Sequence, residues 1–160
     1  MRVLAHFPDE PIRDAVPTCV TQGPDGFLYV GTLALVDSFF GGQSAKVWRL
    51  DPSLANLADP DASPKTLWAS GVNPINGCTF GPDGNFYASQ LFTNPNFPAD
   101  FSNPQGDVVQ IPFSDPSTHN FLTDGALTFA GGVAVAPNGD VFVADGTAFV
   151  DNGRVLRISH

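Results

Sequence analysis

An all-β fold of repeated four-stranded antiparallel units is the fold class this sequence predicts, and three observations predict it. The first is a turn that recurs in register. Gly23-Pro24-Asp25-Gly26, Gly81-Pro82-Asp83-Gly84 and Ala136-Pro137-Asn138-Gly139 follow one another at nearly constant spacing. Pro at the second position presets φ, Asp or Asn tolerates the third, and Gly accepts positive φ at the fourth, so each tetrapeptide closes a tight hairpin. The second is the alternating run that follows each turn: Phe27-Leu28-Tyr29-Val30-Gly31, Asn85-Phe86-Tyr87-Ala88-Ser89 and Asp140-Val141-Phe142-Val143-Ala144. A period of two is the signature of a strand. The third is composition. Gly and Pro supply 31 of 160 residues and 15 of the 16 acids are Asp, which favours turns and deprives helices of their usual carboxylate. Short strands in a repeat of this length mark the blades of a β-propeller.

The elements follow in chain order. Each turn is preceded by a run of small and apolar residues, Thr18 to Gln22, Asn76 to Phe80 and Gly131 to Val135, which predicts the innermost strand. Blades crowd near the axis, so Cys19, Gly77, Cys78, Gly131, Gly132 and Ala134 suit that position, and both cysteines read as reduced core residues. Third strands are predicted at Lys46 to Leu50, Asp107 to Ile111 and Arg154 to Ile158, and fourth strands at Thr66 to Ser70 and Asn120 to Asp124. Tyr29, Trp48, Trp68, Phe86, Tyr87 and Phe142 fall where the wedge between blades widens, as inter-blade core. The blades span about 16–71, 74–125 and 129–159 of a single propeller half, 1–160. The third lacks a fourth strand, and Arg2 to Phe7 has that strand's pattern at the other end of the chain.

Closed propellers have about four to eight blades, so three leave two open faces. The sequence therefore predicts a homodimer in which the N-terminal strand of one chain completes the last blade of the other, giving a six-bladed ring. The seam falls on Val3, Leu4 and Phe7 against Val155, Leu156 and Ile158. Half of a longer chain is the alternative origin, and such a half could still dimerise.

Charge and hydropathy exclude some partners. The net charge is -9 with no basic run, so nucleic acid is not expected. At 42% hydrophobic residues the chain is too apolar for disorder. No apolar stretch reaches the roughly 20 residues of a membrane span, and Met1 to Pro11 carries charges and prolines in place of a signal-peptide core.

Asp14-Ala15-Val16-Pro17-Thr18 leading into the first turn, Val47-Trp48-Arg49-Leu50, Phe129 to Val135 and Arg154 to Ile158 together resemble the ScyD/ScyE family. These propeller proteins are associated with scytonemin biosynthesis and are similar in blade pattern to NHL-repeat and streptogramin-lyase-like propellers. The resemblance covers almost the whole chain and corresponds to the C-terminal half of a full-length member. It implies a propeller fold and export, and it carries no established activity across.

Candidate functional residues lie at the approach to the inner strands and in the loops between second and third strands. Asp14, Thr18, Asn73 and Asn76 are the candidates for a ligand or the axial channel. The loop aromatics Phe39, Phe40, Phe92, Phe97, Phe101 and Phe149 form either a patch for a partner or apolar ligand, or caps over the blade ends. No cofactor is predicted. Calcium is the cation that such oxygen donors would take, but a metal-dependent propeller hydrolase needs several convergent carboxylates, and the sole Glu is at position 10. His6, His119 and His160 fall away from the axis, so no acid-base or nucleophilic constellation is legible. The sequence thus predicts a non-enzymatic binding or assembly module. The alternative is a lactonase-like or streptogramin-lyase-like enzyme whose axial site is completed by the second half of the ring.

Overall fold

The computed structural model describes residues 1–7, 15–34, 36, 43–94, 99–100, 102–147 and 151–159. Among them the strands form three antiparallel sheets. Blade 1 holds β1 (Pro17–Gln22), β2 (Leu28–Thr32), β3 (Ala45–Leu50) and β4 (Lys65–Val72). Blade 2 holds β5 (Ile75–Phe80), β6 (Phe86–Gln90), β7 (Asp107–Ile111) and β8 (Asn120–Phe121). Blade 3 holds β9 (Val133–Val135), β10 (Val141–Asp145) and β11 (Arg154–Ile158). Each sheet is a plain meander, and β5 lies beside both β1 and β9, so the first strands of the three blades are neighbours.

The repeated turns set this register. Gly26, Gly84 and Gly139 donate their amides to Gly23, Gly81 and Ala136 at 2.9, 3.0 and 2.9 Å, and take φ of 83°, 77° and 90°, a conformation that suits glycine. From each turn the strands leave with side chains alternating between two faces. On blade 1, Tyr29, Gly31 and Val47 face blade 2, while Val20, Leu28, Val30, Trp48 and Leu50 face the other way.

Aromatic packing fills the junction of blades 1 and 2. The Tyr29 ring meets Trp68 and Phe80 edge-on at 5.1 and 4.9 Å, and Trp68 meets Phe86 at 5.6 Å. Val47, Val109 and Ile111 complete the core. Edge-to-face pairs of this kind add to the burial of large rings. The second junction is aliphatic around Tyr87: Val108, Val141 and Val143, with Leu156 and Ile158 against them.

Four expectations are corrected. Cys19 and Cys78 are joined in a disulfide between β1 and β5. Within the repeat Cys19 aligns with Gly77, not with Cys78, so the two cysteines lie on opposite faces of their strands, and blade 1's forward face meets blade 2's backward face. Phe142, the counterpart of Tyr29 and Tyr87, is not buried but 36% exposed, because among the described residues no blade packs on that face of blade 3. Residues 2–7 form no strand. They lie against blade 1, where Ser63 Oγ donates to Leu4 O at 2.5 Å, His6 N–H donates to Pro60 O at 3.1 Å, and the Phe7 ring sits 6.4 Å from Trp48. Finally, β8 stops after two residues where a longer strand, Asn120 to Asp124, was expected. The Asp107 carboxylate accepts the backbone N–H groups of Thr123 and Gly125 at 3.1 and 2.8 Å, turning the chain away from β7.

The disulfide closes a loop spanning 59 residues, which in the chain-entropy model stabilises by about 4 kcal/mol. Replacing both cysteines by serine is expected to lower the unfolding free energy by a few kcal/mol in urea titrations. An unchanged midpoint for that pair would contradict the crosslink.

Candidate functional site

The polar groups of the inner strands hold blades together. Thr18 Oγ1 donates to Ile75 O at 2.6 Å, and Asn76 Nδ2 donates to Ala130 O at 3.1 Å. These two residues occupy the same place in successive repeats, and each ties its blade to the start of the next. The third copy carries Gly131 there, without a side chain to reach forward. Ser89 adds a further tie, with its hydroxyl on Gly131 O and the Gly77 N–H donated to it at 2.9 Å. Asn73 is buried, with its amide donating to Gln90 Oε1 at 3.1 Å. Of the four residues expected to address an axial ligand, Thr18 and Asn76 are thus inter-blade ties and Asn73 is paired in the interior. Asp14 lies outside the described residues.

Beside Asn73 is a polar cleft of about 300 Å³ lined by Thr93, Gln105, Asp107, Asp124 and Phe121. Its buried carboxylate is already engaged: Asp107 accepts from Val108 N–H, from both the N–H and the hydroxyl of Thr123, and from Gly125 N–H. Asp145, the other buried carboxylate among the described residues, accepts from the Thr128 and Phe129 amides and from Arg154. Both carboxylates thus anchor backbone and side chains of their own fold. Among the described residues no group of three or more His, Cys, Asp or Glu could hold a metal ion. His6 pairs with Asp61 on the surface at 2.9 Å. Phe92 is buried and not part of an apolar patch, while Phe39, Phe40, Phe97, Phe101 and Phe149 lie outside the described residues.

A second polar arrangement repeats at the turns. Tyr29 donates its hydroxyl to Asp25 at 3.0 Å and Tyr87 donates to Asp83 at 2.8 Å. Arg49 completes the first pair at 2.8 Å from Asp25, and Gln110 the second at 2.8 Å from the Tyr87 oxygen. Burial and the adjacent carboxylate push both phenols up to about 12. Burial alone would raise Asp25 and Asp83, but the hydrogen bonds they accept outweigh it, and both lie below the ordinary Asp value. In the third repeat Asn138 and Phe142 replace acid and phenol together, so no buried partner is orphaned.

A further concavity is apolar. A cleft of about 340 Å³ separates Leu4, Ala5 and Phe7 from Val20, Leu28, Val30 and Leu50 on the outward face of blade 1. At the far end of the chain, blade 3 turns Ala134, Phe142, Val155 and Arg157 outward, with Val155 74% exposed. Of the seam residues expected on this strand, only Val155 faces outward; Leu156 and Ile158 pack toward blade 2. Of the cleft's lining, sequence reasoning marks Leu4 and Phe7 and misses Val20, Leu28, Val30 and Leu50, although the period-two alternation identifies these four once Tyr29 is assigned to the opposite face.

No protein-family model and no curated protein matches the sequence. Solved structures do match it. A luciferin-regenerating enzyme aligns with TM-score 0.61 at 14% identity over 92% of this chain and 46% of its own. A Thermus thermophilus oxidoreductase described as a glucose dehydrogenase aligns with TM-score 0.59 at 13% identity over 99% of this chain and 46% of its own. A protein described as a gluconolactonase aligns with TM-score 0.53 at 19% identity over 95% and 47%. At these identities the likeness shows the fold: the chain is a three-bladed β-propeller unit spanning just under half the length of these structures.

The two phenols give a direct test, since the chain contains two tyrosines and both take part. A folded pKa raised from the ordinary 10 contributes stability that is present below pH 10 and lost as pH rises toward 12. The depressed carboxylates contribute stability present above their ordinary value of 3.8 and lost as pH falls below it. Tyrosinate absorbance is therefore expected to rise with a midpoint near 12. Titration of either tyrosine near 10 in the folded protein would contradict the Tyr–Asp pairing.

Proposed function

We propose that the chain is a non-enzymatic half-propeller that self-associates through its open blade faces into a closed six-bladed ring and acts as a binding or assembly module. The observation that carries this reading is the pair of apolar faces left at the two ends of the row of blades. It is supported by the match to just under half of larger propellers, and by the engagement of Thr18, Asn76, Asp107 and Asp145 within the fold. The inter-blade disulfide suits an oxidising compartment, in keeping with the export that the ScyD/ScyE resemblance implies. Light scattering is expected to give twice the mass of the 16.9 kDa chain. A well-folded particle of single-chain mass at micromolar concentration would overturn self-association.

One observation favours a second reading. The matched structures carry names of propeller enzymes, among them a gluconolactonase and a glucose dehydrogenase. On that reading the second half of the ring completes an axial hydrolase or lyase site. A strong rise in thermal stability on adding calcium, together with lactone hydrolysis, would favour the enzyme over the module.

A further inference from the structure

The two junctions inside the chain describe how one blade's forward face sits on the next blade's backward face, and the outer faces at its two ends have the same parts. By the turn register Phe142 stands where Tyr29 and Tyr87 stand, and Leu28 stands where Phe86 stands. Leu28 pairs with Leu50 across the sheet as Phe86 pairs with Ile111. Tyr29 packs on the face built by Phe80, Phe86 and Ile111; among the described residues Phe142 has no such face. On blade 1 the corresponding ground is the apolar cleft of about 340 Å³.

Residues 4–7 narrow the identity of what fills it. Phe7 stands over Trp48 and lines the cleft with Leu28 and Leu50, which is the ground that Trp68 of β4 covers over Phe86 in the first junction. The N-terminal segment is thus docked on blade 1 where the fourth strand of a preceding blade would lie, and the space between it and β2 corresponds to that blade's missing inner strands. Blade 3 has those strands and lacks the fourth, since β11 ends its sheet with an unpaired edge.

We infer that the occupant of the cleft is blade 3 of a second copy of this chain, with the partner's Phe142 inserted between residues 4–7 and β2 and the partner's β11 edge taking residues 2–7 as its fourth strand. This deepens the ring reading above and rests on it. The partner's ring brings no hydroxyl into the apolar cleft, because the phenol of the other repeats is a phenyl here and the acid beside it is Asn138. Phe7 then meets the inserted ring as Trp68 meets Tyr29 in the first junction.

The disulfide supplies the test. In the repeat register Cys19 corresponds to Gly132 and Cys78 to Val20, so the seam equivalent of the Cys19–Cys78 bond joins Gly132 of one chain to Val20 of the other. A variant carrying Gly132→Cys and a variant carrying Val20→Cys, mixed and oxidised, are expected to form a covalent dimer of twice the single-chain mass. Peptide mapping should assign the bond to the two introduced positions, with little dimer from either variant alone. Phe142→Asp is expected to weaken association at least tenfold while leaving the far-ultraviolet circular dichroism of the chain unchanged. A dimeric wild-type particle, with no crosslink between the two variants and no response to Phe142→Asp, would overturn the seam and leave the ring reading standing. A monomeric wild-type chain, with no crosslink between the two variants, would overturn both, as would 1:1 pairing with a different propeller half.

Discussion

A blade of this chain is a sheet with two apolar faces, and neither face can be left to water. An ordinary antiparallel sheet buries one side and solvates the other, which produces polar and apolar residues in alternation. Here both alternating sets are apolar: Tyr29 and Val47 on one face of blade 1, Leu28, Val30 and Leu50 on the other. Such a sheet is stable only between two neighbours. The first junction meets that requirement with interlocking rings and the second with valines around Tyr87, while the two end faces meet it only in part.

The polar chemistry serves the same constraint. Thr18 and Asn76 repeat one tie from blade to blade, and the disulfide between β1 and β5 reinforces it. Asp107 and Asp145 lie buried, and each gathers backbone amides where the meander turns toward the next blade. A buried carboxylate can mark an active centre, yet four donors on one Asp107 carboxylate describe an anchor.

Much of this was legible in the sequence because the turns are. Gly-Pro-Asp-Gly fixes where each hairpin reverses, and the strand alternation then follows from a period of two. Faces were harder. Both cysteines fall in inner strands, but a one-residue offset within the repeat puts Cys19 on the forward face and Cys78 on the backward one, and the pairing is visible only after the faces are assigned. The same step explains Phe142: its position matches two buried tyrosines, and its burial depends on a neighbouring blade that the described residues do not supply. The truncation of β8 had no signal in periodicity, since it depends on the Asp107 side chain competing for the backbone of Thr123 and Gly125. Of the residues chosen for polarity near the axis, Thr18 and Asn76 turn their donors to the adjacent blade and Asn73 is paired with Gln90.

The central claim is that the open faces of blades 1 and 3 need each other, and the unpaired edge of β11 reports it residue by residue. Amide hydrogen exchange across Arg154–Ile158, followed over a range of protein concentration, measures whether that edge acquires a partner strand. The account expects the outward-pointing amides of β11 to exchange freely when dilute and to become protected as concentration rises, together with the amides of residues 2–7. Outward amides that exchange at the unprotected rate at every concentration, while β6 and β7 stay protected, would contradict it.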